Sequence, residues 1–274
     1  MSVIVTATDF STIAQNAVHY ACSMAKDTNA SVVVIHSYAI PVAFNDNPMP
    51  IMPLEEGKNL AEEQLDKLLS ELKLQYEGVA ISGFVTYGDI TDNLKSYVAE
   101  EHPWLIVIGN SSREDDISWL GSNLLNALKH IHCPVIAIPK GLSYKTIQNV
   151  CYACDYKHIA EKLPAERIKL LVNKTNSQLH VLNVDKENKN FDTDTPYQSE
   201  QLHELLQEVN PQYHNVVNED IDEGILDFVK AEQIDWLVMI PHNHSFFEKL
   251  FHKSNTNAVV KKADIPIIAL HDKA

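Results

Sequence analysis

The chain repeats itself, and that repeat constrains its fold more than any other feature of the sequence. Gly88-Asp89-Ile90 is followed by Leu94, Tyr97 and Val98, and then by the apolar run Trp104-Leu105-Ile106-Val107-Ile108. The same order returns as Glu219-Asp220-Ile221, then Ile225, Phe228 and Val229, then Trp236-Leu237-Val238-Met239-Ile240. Over this later part of each unit the period is roughly 132 residues. Gly121-Ser122-Asn123 corresponds to Lys253-Ser254-Asn255, and Pro134-Val135-Ile136-Ala137-Ile138 to Pro266-Ile267-Ile268-Ala269-Leu270. The unit starts agree as well: Val3-Ile4-Val5-Thr6-Ala7-Thr8-Asp9 and Asn149-Val150-Cys151-Tyr152-Ala153-Cys154-Asp155 are both short apolar runs ending in Asp. Duplication is the economical reading. It predicts two domains, 1–142 and 146–274, with Gly141-Leu142-Ser143-Tyr144-Lys145 spanning the linker.

Within the first unit, short β-rich apolar runs alternate with helical periodicity, the pattern of a parallel sheet covered on both faces. The spacing predicts strands at 3–8, 31–39, 79–86, 104–109 and 134–139, with helices at 12–27, 55–75, 90–101 and 121–130. The second unit predicts helices at 158–173 and 199–209 around a strand at 178–184. Asp9 and Ser11 are suited to cap the first helix. Right-handed crossovers then give an α/β chain of two tandem doubly wound, Rossmann-like domains, each with a five-stranded parallel sheet. The second unit lacks the Pro-rich stretch 40–53, which reads as a lid or an interface.

Composition narrows the function. A net charge of −15 gives a mean field that repels phosphate, against a general affinity for nucleic acid or anionic membrane, though a local nucleotide pocket is compatible with it. No apolar run approaches a bilayer span, and the start Met1-Ser2-Val3-Ile4-Val5-Thr6 has no basic region of the secretory type. Cys22, Cys133, Cys151 and Cys154 sit in apolar segments and suggest no disulfide scaffold. The expectation is a reducing, cytoplasmic setting.

In an open parallel sheet, ligands bind at the carboxyl ends of the strands near a topological switch point. Three segments of the first unit should meet there: Ala7-Thr8-Asp9, His36-Ser37-Tyr38, and the loop Gly109-Asn110-Ser111-Ser112 with Gly121-Ser122-Asn123 opening the next helix. A Gly that admits backbone to a phosphate, beside a helix N-terminus bearing Ser, makes an anion cradle. Asp9-Phe10-Ser11, Gly109, Gly121-Ser122 and the closing Pro134-Val135 resemble the universal stress protein family over essentially the whole chain, counted twice. Its pattern is a first strand ending in Asp-Phe-Ser, a Gly-x-x-Gly loop, about nine residues, then Gly-Ser or Gly-Thr. The resemblance implies that Asp9 and Ser37 face adenine, while Gly109, Ser112, Gly121 and Ser122 face the ribose and phosphates of ATP or another adenine nucleotide with Mg²⁺. It further implies an intramolecular pseudo-dimer in which the two last strands pair, and the whole chain could form a homodimer.

The first unit departs from that pattern at Ser112, which replaces the second Gly, and in the eight-residue segment from Arg113 to Leu120. Glu114, Asp115 and Asp116 would repel a triphosphate unless Mg²⁺ or Arg113 intervened. The second unit keeps Asp155 but reads Pro241-His242-Asn243-His244 and Lys253-Ser254, so it is a degenerate nucleotide site. His242, His244, His252 and His271 match no well-defined metal spacing and read as a His-rich loop. The CxxC at Cys151 and Cys154 lies in an expected strand, where alternation sends the thiols to opposite faces. No catalytic or metal-binding constellation stands out. The reading is a stress-response regulator or binding protein. Its alternatives are a ligand-free interaction scaffold with vestigial pockets, or a slow ATP hydrolase.

Overall fold

A computed structural model of the chain describes residues 2–38, 54–110, 131–156, 159, 163–186, 195–240 and 265–270. The first half contributes β1 (Val3–Thr8), α1 (Thr12–Thr28), β2 (Ser31–Tyr38), α2 (Leu54–Gln75), β3 (Ile81–Tyr87), α3 (Ile90–Glu101), β4 (Leu105–Asn110) and β5 (Val135–Pro139). The second contributes β6 (Asn149–Ala153), α4 (Ala165–Thr175), β7 (Gln178–Asp185), α5 (Thr195–Leu206) and a 3₁₀ turn at Gln207–Val209. It continues through β8 (Gln212–Val217), α6 (Ile221–Ala231), β9 (Trp236–Met239) and β10 (Ile267–Ala269). The expected helix at 121–130 and the stretch 40–53 lie outside the described residues.

The strands form one ten-stranded sheet in the order β3-β2-β1-β4-β5-β10-β9-β6-β7-β8. Each half is a five-stranded parallel sheet. The halves meet where β10 runs antiparallel to β5, with Ile268 opposite Ile136. Pairing the two last strands removes what would otherwise be an exposed apolar edge in each half.

Strand alternation divides the core. Ile4, Val32, Leu105, Val107, Ile136 and Ile268 face α1, α2, α4 and α5, with Tyr20, Leu72, Ile168 and Leu206 packed on them. Val5, Ile35, Ile106, Ile108, Val135 and Ile267 face the other way, toward Ile90 and Leu94 of α3 and Ile225 and Phe228 of α6. The near-continuous apolar runs follow from this, because both faces of the sheet are covered.

Helix boundaries follow side-chain caps. The Ser11 hydroxyl accepts from the Ala14 amide at 3.2 Å, and α1 ends at Asn29 in a left-handed conformation (φ 51). Asp89 accepts from the amides of Thr91 and Asp92, and its repeat counterpart Asp220 from those of Asp222 and Glu223. Several boundaries shift by one to four residues, α5 among them, which starts at Thr195 rather than 199, and one expected helix is interrupted. Of the helix read at 158–173, residues 165–173 belong to α4, which begins at Ala165 with Pro164 in the N-cap position. Ile159 is helical too, residues 163 and 164 interrupt the helix, and 158 and 160–162 lie outside the described residues. Proline has no amide hydrogen to continue a helical ladder, so its place is at a helix start, and a helix drawn through it is divided there.

Candidate functional site

The sheet order places the switch point between β1 and β4, which pair with Val5 opposite Ile106 and Thr6 opposite Val107. Three short side-chain bonds turn the end of β1 into the start of α1. Thr8 Oγ1 accepts from the Phe10 amide at 2.9 Å, Asp9 Oδ1 accepts from the Ser11 amide at 3.0 Å, and Ser11 then caps the helix. Phe10 is held at φ 62, a left-handed conformation that costs a bulky residue free energy. Backbone strain of this kind persists only where its surroundings over-determine it. Here they do: the Phe10 ring lies 4.5 Å from the His36 ring, and Gln15 Nε2 donates to the Phe10 carbonyl.

His36, the β2 residue opposite Thr8, completes the turn. Its Nδ1 lies 2.7 Å from the Thr8 carbonyl oxygen, which can only accept, so Nδ1 carries the proton. The sequence pointed to the segment around His36 but not to His36 itself. The available signal was a polar residue interrupting the apolar run Val32-Val33-Val34-Ile35.

The other expected residues divide. Ser37 is buried, donates to the Gly88 carbonyl at 2.6 Å and accepts from Asn93 Nδ2 at 3.1 Å, bracing the turn into α3. Gly109 was expected in a loop. It lies inside β4, which runs one residue further to Asn110, and pairs with Ile138 of β5. A Cβ at 109 would stand 2.7 Å from both Ile13 Cγ2 and the Ile13 carbonyl oxygen, so glycine is needed for α1 to approach the strand. Ser112, Gly121 and Ser122 lie outside the described residues.

The second half rebuilds the same turn with other side chains. Tyr156 follows Asp155 at φ 54, and its amide reaches Cys154 Sγ at 3.3 Å, the role of Thr8 Oγ1 in the first half. Asn183 Nδ2 donates to the Cys154 carbonyl at 2.9 Å, as His36 does to that of Thr8. Where Ser37 clasps Asn93, Val184 packs on Gly224. Cys151 and Cys154 belong to opposite faces of the sheet, as alternation requires, and burial pushes the Cys154 thiol up to about 12. Both thiols are free. Among the described residues no cluster of His, Cys, Asp or Glu could hold a metal ion, and His242, His244, His252 and His271 are not among them. No described helix is long and apolar enough to cross a membrane.

Duplicated 3-2-1-4-5 parallel sheets joined through their last strands, each with an Asp-ended first strand at the switch point, define a tandem, doubly wound Rossmann-like α/β protein. The chain belongs to the universal stress protein family, whose model matches residues 1–139 and again 146–271. A universal stress protein from Archaeoglobus fulgidus DSM 4304 shares this fold over 98% of both chains at a TM-score of 0.72 and 15% identity. A functionally unknown protein from Pseudomonas aeruginosa PAO1 is similar over 99% of this chain and 93% of its own, with a TM-score of 0.59 and 13% identity. No curated protein matches the sequence.

Proposed function

We propose that the chain is a cytoplasmic stress-response regulator that binds an adenine nucleotide, with Mg²⁺, in the crevice at the carboxyl ends of β1 and β4. The observation that carries this reading is the turn from Thr8 to Ser11. It holds Asp9 at the switch point on a strained but over-determined backbone, with His36 and Phe10 beside it. A chain of net charge −15 would need Mg²⁺ to neutralise the phosphates. Asp9 would contact the adenosine. The Ser37 hydroxyl, its proton engaged by Gly88, would act there as an acceptor. Gly109, Ser112, Gly121 and Ser122 would flank the ribose and phosphates. Mg-ATP titrated calorimetrically should bind at one site per chain, and Asp9→Ala should weaken it tenfold or more. A slow hydrolase requires turnover that Ser122→Ala abolishes, and binding without turnover excludes it.

A second reading, the ligand-free scaffold, is favoured by the way Gly109 and Ser37 are engaged in packing α1 and bracing α3. Under it, millimolar Mg-ATP would produce neither heat nor thermal stabilisation, and that outcome would overturn the nucleotide reading.

A further inference from the structure

A cavity of about 440 Å³ opens at the opposite, amino-terminal end of the sheet, beneath the starts of β1, β4 and β5. Pro103, Trp104, Cys133 and Pro134 are its buried walls, while Glu101, His102, His132 and Leu170 are exposed. Arg167 and Leu170 of α4 reach it from the second half of the chain, so both repeats build it.

Two buried donors there are unspent. Arg167 Nη2 donates to the His132 carbonyl at 3.0 Å, but Nη1 has no hydrogen-bond partner among the described residues. Trp104, only 7% exposed, has its indole Nε1 in the same condition. Lys174 Nζ lies 5.9 Å from the centre of the Trp104 ring, so two cations of α4 flank this residue in a strongly acidic chain. An unsatisfied buried polar atom in a folded protein calls for a missing partner. Arg and Trp side chains only donate, so the partner must be an acceptor.

We infer that this cavity binds a small organic carboxylate, which engages Arg167 and the Trp104 indole while its apolar body lies against Val3, Val98, Pro103 and Pro134. The guanidinium fork suits a planar carboxylate, and its Nη2 bond to His132 holds the group at the junction of the repeats. The volume is that of a small-ligand pocket, larger than inorganic phosphate needs. The Glu101 carboxylate is exposed, so the anionic head belongs at the Arg167 side. Because both halves contribute residues, an occupant would strengthen their junction and raise the melting temperature.

Calorimetric titration of the full chain with benzoate, and separately with inorganic phosphate, tests this. Benzoate should saturate at one site per chain and raise the melting temperature. Arg167→Met should weaken it at least tenfold, and Trp104→Phe, which leaves an aromatic ring of smaller size and removes the indole donor, should weaken it several-fold. Far-UV circular dichroism establishes that both variants are folded. No saturable benzoate binding in the millimolar range, or binding indifferent to both substitutions, overturns the site. Phosphate binding as tightly as benzoate overturns its assignment to an organic acid.

Discussion

Gly109 shows how one residue can be conspicuous in a sequence for a reason the sequence does not reveal. Its spacing suggested a phosphate-side turn, whereas in the fold it lets the first turn of α1 rest on β4. Gly109→Ala should therefore destabilise the protein by about 1–3 kcal/mol, the usual cost of overpacking. One obstructing atom is the Ile13 carbonyl oxygen, so pairing the change with Ile13→Ala should leave most of that loss in place. Urea midpoints at unchanged m-value would report it, and full recovery in the double variant would show that only the side chain obstructs. Local chemistry at the site was legible: Asp9 and Ser11 act on amides two and three residues ahead, within reach of sequence reasoning. The partners of Ser37 and Gly109 come from distant elements, Asn93 of α3 and Ile13 of α1, and no local pattern encodes those approaches.

Elements were read well where a cap or a strand alternation set them. Asp89 and Asp220 each accept from the two amides that follow at the starts of α3 and α6, a duplication visible in sequence and reproduced in geometry. Asp89→Ala and Asp220→Ala should each cost about 1 kcal/mol, while replacement by Gly should cost only a few tenths. Hydrogen exchange should locate the loss in the first turn of the affected helix, at Thr91 and Asp92 or at Asp222 and Glu223. Protection lost equally along the whole helix would mean that the cap is not the local anchor. The helix at 158–173 was read as continuous because apolar periodicity runs through Pro164, where the helix breaks, and periodicity alone carries no information about amide donors. The five-stranded halves were legible because parallel strands buried on both faces leave unmistakable apolar runs.

At the scale of the molecule, the central question is whether two repeats behave as one cooperative unit. The β5–β10 seam is short, but it is reinforced across sequence-distant elements. Trp236 Nε1 on β9 donates at 2.8 Å to the hydroxyl of Tyr20 on α1, and both side chains are buried. The linker is held from both sides: Thr146 donates to Asp27 of the first repeat, while Lys145 and the amides of Gln148 and Asn149 converge on the buried carboxylate of Asp235 in the second. Sequence reasoning anticipated the strand pairing by family resemblance, but the Tyr20–Trp236 bond has no sequence signature, since it joins faces that only the assembled sheet brings together. The intact chain is expected to unfold in one calorimetric transition, with calorimetric and van't Hoff enthalpies equal. Tyr20→Phe leaves the wholly buried Trp236 donor without an acceptor, a loss of about 1–3 kcal/mol. The apolar pairing of Ile136 with Ile268 survives that change, so the transition should move to lower temperature and remain single. If the variant instead melts in two steps, the Tyr20–Trp236 bond, rather than the continuous sheet, is what couples the repeats.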